Sequence, residues 1–223
     1  IGTRGPGETR LAQERHAIRQ RMHTLREQLA KAERERAVRR KLRERRQIPE
    51  IALIGYTNTG KSTLLRVLTG AEAFVEDKLF ATLDPLTRKL PLPDGRLAVV
   101  TDTVGFIKKL PHELIPAFAS TLEAARDADL LVNVLDVSNP NLFEHWRTIA
   151  EVLNDLFQNG HRPPLINVLN KIDKLQGEED HQRLALALST IPNALAISAH
   201  QGTGLEELKH RIIQMLLAAP VAA

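Results

Sequence analysis

A glycine-rich segment directly after a short apolar run is the feature that most limits how this chain of 223 residues can fold. The apolar run, residues 51–54, predicts a buried strand, and residues 61–68 predict a helix. Between them lies Gly55-Tyr56-Thr57-Asn58-Thr59-Gly60-Lys61-Ser62-Thr63, a P-loop in the required order of strand, loop and helix. Its glycines let backbone amides wrap around phosphates. Lys61 is predicted to reach the β- and γ-phosphates, and the Ser62 hydroxyl is predicted to bind Mg²⁺.

From Glu50 onward, apolar strand patterns alternate with amphipathic helix patterns. The turn Pro93-Asp94-Gly95 predicts an antiparallel hairpin of residues 88–92 with 97–100. The alternation predicts an α/β fold, with a mostly parallel six-stranded sheet and helices on both faces. Further strands are expected at 130–135, 165–169 and 194–197, and further helices near 115–126, 142–159, 180–188 and 205–217.

Three later motifs, each closing a predicted strand, specify the nucleotide. In Asp102-Thr103-Val104-Gly105, the aspartate can hold the Mg²⁺ shell and the glycine amide can touch the γ-phosphate. In Asn170-Lys171-Ile172-Asp173, the Asp173 carboxylate can accept hydrogen bonds from guanine N1 and N2, for which adenine has no equivalent pair. In Ser198-Ala199, followed by His200, a backbone amide can meet guanine O6. Since such sheets bind ligands at the carboxyl ends of their strands, the motifs together predict a guanine nucleotide.

A threonine that binds Mg²⁺ and senses the γ-phosphate is expected between the P-loop and Asp102. Two candidates lie there, Thr82 within Phe80-Ala81-Thr82-Leu83-Asp84-Pro85, and Thr87. Thr82 is favoured because Thr87 abuts the next predicted strand. Phe80 and Ala81 are grouped with Thr82 as nucleotide-binding residues.

Phe106 stands directly after the glycine of the Asp102 motif, where Ras-like proteins place the glutamine that orients the attacking water. A phenylalanine side chain cannot hydrogen-bond to water. Catalytic help must therefore come from a partner, a backbone group or an ion.

The charge of the chain is divided unevenly. Residues 10–46 carry 14 Lys or Arg against 5 Glu, a net charge of +9, whereas residues 47–223 carry a net charge of −5. Such asymmetry is typical of binding to nucleic acid or to an anionic surface. Apolar residues from Leu11 to Ala32 follow a narrow coiled-coil-like stripe, which predicts a basic helical arm. Its partner helix is expected upstream of Ile1. A solvated helix face is the simpler interpretation of the same arginines.

Other residues point to structural roles. The chain has no cysteine, and no apolar run approaches the ~20 residues that a bilayer requires. The histidines show no metal-ligand spacing, and His112, His145 and His161 are expected at the surface. Trp146 is expected to pack. Leu184, Leu186 and Leu188 are expected in a helix core.

Several of these segments together resemble the HflX family of GTPases. The resemblance is carried by Gly2-Thr3-Arg4-Gly5-Pro6-Gly7-Glu8-Thr9, the basic helix, Gly55-Tyr56-Thr57-Asn58, Phe80-Ala81-Thr82-Leu83-Asp84-Pro85 and Asp102-Thr103-Val104-Gly105-Phe106-Ile107. It implies a Ras-like GTPase domain, residues 47–223, after a loop and basic arm, residues 1–46. It also implies an N-terminal domain before Ile1. One departure is Thr59, where alanine is usual.

The resemblance further implies slow GTP hydrolysis with Mg²⁺, coupled to splitting or rescue of ribosomes through the large subunit. The expected protein is cytoplasmic and monomeric. Its predicted rRNA-binding residues are Arg4, Arg39, Arg40 and Arg43. Some relatives hold K⁺ with a P-loop asparagine, matched here by Asn58, although a loop-bracing amide explains Asn58 equally well. With Lys61 and Thr82, Asn58 completes the predicted catalytic set. Ribosome assembly or RNA modification, and a non-hydrolysing RNA-binding module, are the alternative functions.

Overall fold

The computed structural model of the chain describes residues 48–70, 86–106, 115–158 and 162–218. The chain divides into two units, Ile1–Gln47 and Ile48–Ala223, and all described residues lie in the second. The predictions for the arm, for Phe80, Ala81 and Thr82, and for His112 and His161 fall outside the described residues.

The described residues form six strands: β1 (Glu50–Ile54), β2 (Leu86–Pro91), β3 (Leu97–Asp102), β4 (Leu130–Asp136), β5 (Leu165–Asn170) and β6 (Ala194–Ala196). They make one sheet in the order β2-β3-β1-β4-β5-β6. Only β2 runs antiparallel to its neighbour, and every other pairing is parallel. The predicted hairpin and the mostly parallel sheet are therefore confirmed.

Helices cover both faces of this sheet, as the apolar pattern of the strands predicts. The described helices are α1 (Lys61–Thr69), α2 (Ile115–Asp127), α3 (Leu142–Leu156), α4 (Glu178–Thr190) and α5 (Leu205–Ala218). Ile51 and Leu53 of β1 belong to a buried cluster with α1 and α5. Ala52 and Ile54 point to the opposite face and join a second cluster with α2, α3 and α4. None of these helices is long and apolar enough to cross a membrane.

The prediction of a leucine core in α4 is wrong for two of its three residues. Leu184 packs partly buried against the second cluster, but Leu186 and Leu188 are 56% and 44% exposed. Residues two apart lie on nearly opposite sides of a helix, so Leu186 cannot share the face of Leu184. Leu188, one turn after Leu184, lies close to the end of α4 at Thr190, and nothing further in the structure explains its exposure. Ala187 is the fully buried residue of α4. Trp146 of α3 packs against the same cluster, as expected.

A buried polar contact joins β4 and β5. Asn133 and Asn167 are opposite each other in the register, and Asn133 Nδ2 donates to Asn167 Oδ1 at 2.9 Å. Asn167 Nδ2 in turn donates to the Pro192 carbonyl oxygen at 2.8 Å. The same register places Asp136 opposite Asn170, at the carboxyl ends of the two strands.

Candidate functional site

The predicted phosphate and base motifs meet at the edge of the sheet where β1, β3 and β5 end. Gly55 follows β1, Asp102 is the last residue of β3, and Asn170 is the last residue of β5. Asn170 connects the motifs directly, because its Nδ2 donates to the Thr59 carbonyl oxygen at 2.9 Å and its Oδ1 accepts from the Ala199 amide at 2.9 Å. The P-loop, the Asn170 motif and the Ser198 motif therefore form one continuous site.

The P-loop turns into α1 through Gly60, which adopts the left-handed conformation with φ 95°. A Cβ atom on Gly60 would lie 2.4 Å from Asn170 Nδ2, so a side chain here would displace the amide that joins the loops. Thr59 is 2% exposed, and its hydroxyl donates to the Tyr56 carbonyl oxygen at 3.0 Å. The usual alanine cannot make this bond, so the threonine braces the turn of the P-loop.

Lys61 lies almost completely buried under the P-loop. Its Nζ donates to the carbonyl oxygens of Tyr56 at 2.8 Å and Gly55 at 3.2 Å. Burial disfavours the charged ammonium and lowers the pKa of Lys61 to about 8, although the nearby Asp102 carboxylate partly opposes this shift. The cation is thus held in a poorly solvated position where a phosphate oxygen would stabilise it strongly.

This burial predicts a pH dependence of nucleotide affinity. Because phosphates bind the ammonium and not the neutral amine, binding above pH 8 must take up a proton. Affinity for GDP is then expected to be flat below pH 8 and to fall roughly tenfold per pH unit above it. Calorimetric titrations between pH 6.5 and pH 9 in buffers of different ionisation enthalpy measure both the affinity and the proton uptake.

Lys61→Met is the control for that titration. It should weaken binding at every pH and remove the proton uptake, while leaving any ionisation of the guanine base in place. A slope above pH 8 that persists unchanged in Lys61→Met would assign the effect to another group.

Ser62 and Asp102 present a hydroxyl and a carboxylate in direct contact. Ser62 Oγ donates to Asp102 Oδ2 at 2.6 Å, and Asp102 is fully buried. Oxygen donors of this kind fit Mg²⁺, which nucleotide enzymes hold with one or two protein oxygens together with phosphate oxygens and water. Within the described residues, no group of three or more His, Asp or Glu side chains could hold a metal ion.

The segment after β3 lies against the P-loop backbone. The Thr57 amide donates to the Phe106 carbonyl oxygen and the Phe106 amide donates to the Gly55 carbonyl oxygen, both at 2.9 Å. A Cβ atom on Gly105 would lie 2.7 Å from the Thr57 nitrogen and 2.9 Å from Lys61 Nζ. Only glycine permits this approach, because a side chain on residue 105 would collide with the P-loop backbone and with the ammonium that is predicted to reach the β- and γ-phosphates.

The Phe106 side chain is 4% exposed and lies with Tyr56 in the cluster beneath α3. The Tyr56 ring stacks on His145 of α3, with ring centroids 3.8 Å apart and planes inclined by 13°. His145 is partly exposed, and one face of its ring packs on the P-loop tyrosine. No sequence motif connects His145 with Tyr56, and only the fold brings them together.

The end of the site that is predicted to bind guanine is built by the loops after β5 and β6. Asp173 accepts a hydrogen bond from Ser198 Oγ, and Ser198 is fully buried. The Ser198 hydroxyl also accepts from the Gln201 amide at 3.0 Å, which fixes it toward Asp173. A backbone amide of the Ser198-Ala199 motif is predicted to meet guanine O6, and in this structure the Ala199 amide donates to Asn170 Oδ1. His200 is exposed at this end.

The other predicted residues support the site from within the sheet. Thr103 Oγ1 donates to the Leu53 carbonyl oxygen at 2.7 Å and holds β3 against β1. Val104 is buried, and its carbonyl oxygen accepts from the Thr121 hydroxyl at 3.1 Å. Thr87 lies in β2, where its hydroxyl is 3.1 Å from that of Thr101. The hydroxyl of Thr87 is thus part of a cross-strand pair.

Comparison with known proteins gives two family matches. The family model described as "50S ribosome-binding GTPase" matches residues 50–171, and that described as "GTP-binding GTPase Middle Region" matches residues 1–43. The chain is 55% identical over 176 residues to a GTPase HflX of Caldanaerobacter subterraneus subsp. tengcongensis, covering 79% of this chain and 41% of that protein. It is 38% identical over 216 residues to GTPase HflX of Escherichia coli, covering 97% of this chain and 50% of that protein. The chain thus spans about half the length of the curated relatives it matches.

Among solved structures, a GTP-binding protein from Sulfolobus solfataricus in complex with GDP is similar, with a TM-score of 0.61 and 30% identity over 83% of this chain and 58% of that chain. A structure of Era with MgGDPNP and a fragment of 16S ribosomal RNA has a TM-score of 0.60 at 24% identity, covering 79% of this chain and 58% of that chain. The second likeness concerns the fold alone.

Proposed function

This chain belongs to the HflX family of GTPases, and on that premise we propose that it binds GTP and GDP, hydrolyses GTP slowly with Mg²⁺, and acts on the large ribosomal subunit. One observation carries the first part of the proposal. Asn170 hydrogen-bonds to the P-loop on one side and to the loop after β6 on the other. A phosphate-binding loop and a guanine-binding loop are therefore held at a fixed separation, as recognition of a whole guanine nucleotide requires.

The mechanism that fits these residues is positioning together with electrostatic stabilisation. Lys61, the P-loop amides and the amide of Gly105 would stabilise charge that develops on the transferred phosphoryl group. Ser62 and Thr82 would hold Mg²⁺, with Asp102 in its shell, and the ion would neutralise phosphate charge. Asp173 would select guanine.

A group other than the Phe106 side chain must orient the attacking water. That side chain is apolar and is packed in the core with Tyr56. We therefore propose that the missing help is supplied by the ribosomal subunit or by K⁺ bound near Asn58. Basal turnover of the isolated chain is then expected to be on the order of 10⁻⁴ s⁻¹, the rate of unassisted Ras-like proteins.

The basic arm supports the second part of the proposal. Residues 10–46 carry a net charge of +9, and the predicted contacts Arg4, Arg39, Arg40 and Arg43 lie in or beside that segment. rRNA phosphates are the natural partner for such a charge. Because ribosomes are the proposed partner, we also propose a cytoplasmic location. A monomer is part of the same proposal.

Binding to the large subunit is predicted to weaken steeply with salt. The logarithm of the affinity should fall by roughly 0.7 to 0.9 per counterion released for each decade of salt. Neutralising Arg39, Arg40 and Arg43 with glutamine should flatten that slope and leave GTP affinity unchanged. Sedimentation of the protein with large subunits at several KCl concentrations measures the slope.

The control is an equal number of substitutions within residues 47–223, the part of the chain with a net negative charge. Arg96→Gln, Arg147→Gln and Arg211→Gln remove the same charge outside the arm and should leave the slope as it is in the parent. If the arm variant keeps the parental slope, its arginines form a solvated helix face.

Single-turnover GTP hydrolysis with and without large subunits tests the proposed function as a whole. Stimulation by vacant large subunits supports a role in splitting or rescue. Hydrolysis that responds only to assembly intermediates or to free RNA favours ribosome assembly or RNA modification. No turnover in any condition would leave a non-hydrolysing RNA-binding module, although the intact set of Lys61, Ser62 and Asp102 argues against it.

A further inference from the structure

The ammonium of Lys171 lies between the P-loop and the end of β4. Its Nζ donates to the Asn58 carbonyl oxygen at 2.6 Å and pairs with Asp136 Oδ2 at 2.8 Å. The side chains of Lys171 and Asp136 are only 15% and 14% exposed. Solvent and salt therefore screen this pair less than they screen an ordinary surface ion pair. No motif in the sequence singles out Asp136.

The Asp136 carboxylate is itself held in place. Its Oδ1 accepts hydrogen bonds from the Ser138 amide at 3.0 Å and from the Ser138 hydroxyl at 2.6 Å. Asp136 is opposite Asn170 in the β4–β5 register, and the next amide, that of Val137, donates to the Asn170 carbonyl oxygen at 3.0 Å. Both carboxylate oxygens are thus engaged, so Asp136 presents a fixed negative charge to Lys171.

Lys171 and Asn58, whose carbonyl oxygen accepts from the Lys171 ammonium, share an uncommon backbone conformation. Asn58 has φ 61° and Lys171 has φ 71°, in the left-handed region that side chains other than glycine rarely adopt. Such conformations persist where the surroundings hold them in place. The hydrogen bond from Lys171 to Asn58 links the turn of the phosphate loop to the turn of the base loop, and Asp136 fixes the donor of that bond.

We propose that Asp136 is a positioning residue for guanine nucleotides, which holds Lys171 against Asn58 and so keeps the phosphate loop and the base loop in one binding geometry. This inference rests on the proposed function. Without the carboxylate, a mostly buried cation loses its ionic partner and turns toward solvent, which releases the Asn58 carbonyl oxygen. Preorganisation of the site is lost for GTP and GDP alike, whereas the choice of base, which depends on Asp173, is retained.

The test measures nucleotide release. Asp136→Asn keeps the shape of the side chain and removes its charge. It is expected to accelerate dissociation of fluorescent methylanthraniloyl GDP and GTP by about tenfold each, as follows from loss of one charge-assisted hydrogen bond. Relative affinity for guanine and xanthine nucleotides should not change. Asp94→Asn is the matched control, since Asp94 also pairs with a cation and accepts a backbone amide, both from Arg96, at the distant β2–β3 turn.

A double-mutant cycle separates positioning through Lys171 from a general structural role. Lys171→Met should accelerate release by itself, and adding Asp136→Asn to it should change the rate less than about twofold. An equal acceleration by Asp136→Asn with and without Lys171 would overturn the proposal, as would no acceleration in the parent.

A milder variant covers the case in which Asp136→Asn does not fold. Ser138→Ala removes one of the two hydrogen bonds to Asp136 Oδ1 and should accelerate release by about twofold to threefold, again only while Lys171 is present. An unchanged rate in Ser138→Ala would then count against the proposal. The proposed function fails separately, since it requires the parent protein to bind fluorescent GDP.

Discussion

Asp173→Asn is expected to lower affinity for GTP by about a hundredfold or more and to raise affinity for XTP. The carboxylate would accept hydrogen bonds from guanine N1 and N2, and an amide in its place turns a donor toward those donors. Sites that hydrogen-bond a substrate group discriminate strongly against the wrong partner, because buried polar groups are then left unpaired. The O2 atom of xanthine accepts a hydrogen bond and so suits the amide.

Competition between GTP and XTP for the same protein sample measures this change. The Ser198 hydroxyl, which contacts Asp173 in the structure, can also hydrogen-bond to an asparagine, so the loop should keep its geometry. Equal GTP affinity in the variant and the parent, with no gain for XTP, would remove Asp173 from the base-binding site.

GTP turnover is expected to be about tenfold to a hundredfold faster in KCl than in NaCl at equal ionic strength. A cation beside Asn58 would lie where charge develops between the β- and γ-phosphates, and groups that stabilise such charge contribute on this scale or more. The alternative is a loop-bracing amide, which predicts equal rates in the two salts. In the structure Asn58 is exposed, and the P-loop is also braced by Thr59 and Lys171.

Asn58→Ala should erase the difference between the two salts. Asn193→Ala is the matched control, because Asn193 is also an asparagine with positive φ, at 51°, and its substitution carries a similar backbone cost away from the P-loop. Initial rates of phosphate release in both salts, with and without large subunits, decide the matter. Equal rates in KCl and NaCl under all conditions would leave the ribosome as the source of the missing catalyst.

The sheet and the positions of the phosphate motifs could be predicted because they depend on local patterns. A strand followed by a glycine loop and a helix fixes where Lys61 lies, and the rule that ligands bind at strand carboxyl ends brings Asp102 beside it. The hairpin followed from one turn sequence. In α4, by contrast, Leu186 cannot share a buried face with Leu184, because residues two apart lie on nearly opposite sides of a helix.

Contacts between distant parts of the chain could not be predicted in this way. The stacking of Tyr56 on His145 and the pairing of Lys171 with Asp136 depend on how α3 and β4 are placed beside the P-loop. Asp136 could be noticed in the sequence as an acidic residue at the end of β4, which ends at the same edge of the sheet as the predicted site. The spacing along the chain does not indicate that Lys171 is its partner. The role of the Thr59 hydroxyl likewise does not follow from the sequence, because a change from alanine to threonine suggests nothing until the Tyr56 carbonyl oxygen lies within reach.

The asparagine pair inside the sheet bears on how accurately the base loop can be placed. A slip of one residue between β4 and β5 would turn Asn133 and Asn167 to opposite faces and bury both carboxamides without partners. An apolar pair would tolerate several alignments with similar energies, whereas this pair penalises all but one. The alignment of Asp136 with Asn170 at the mouth of the site is thus determined three residues deeper, where no ligand reaches. We therefore expect substitutions of this buried asparagine pair to alter nucleotide recognition without changing any of the predicted contact residues.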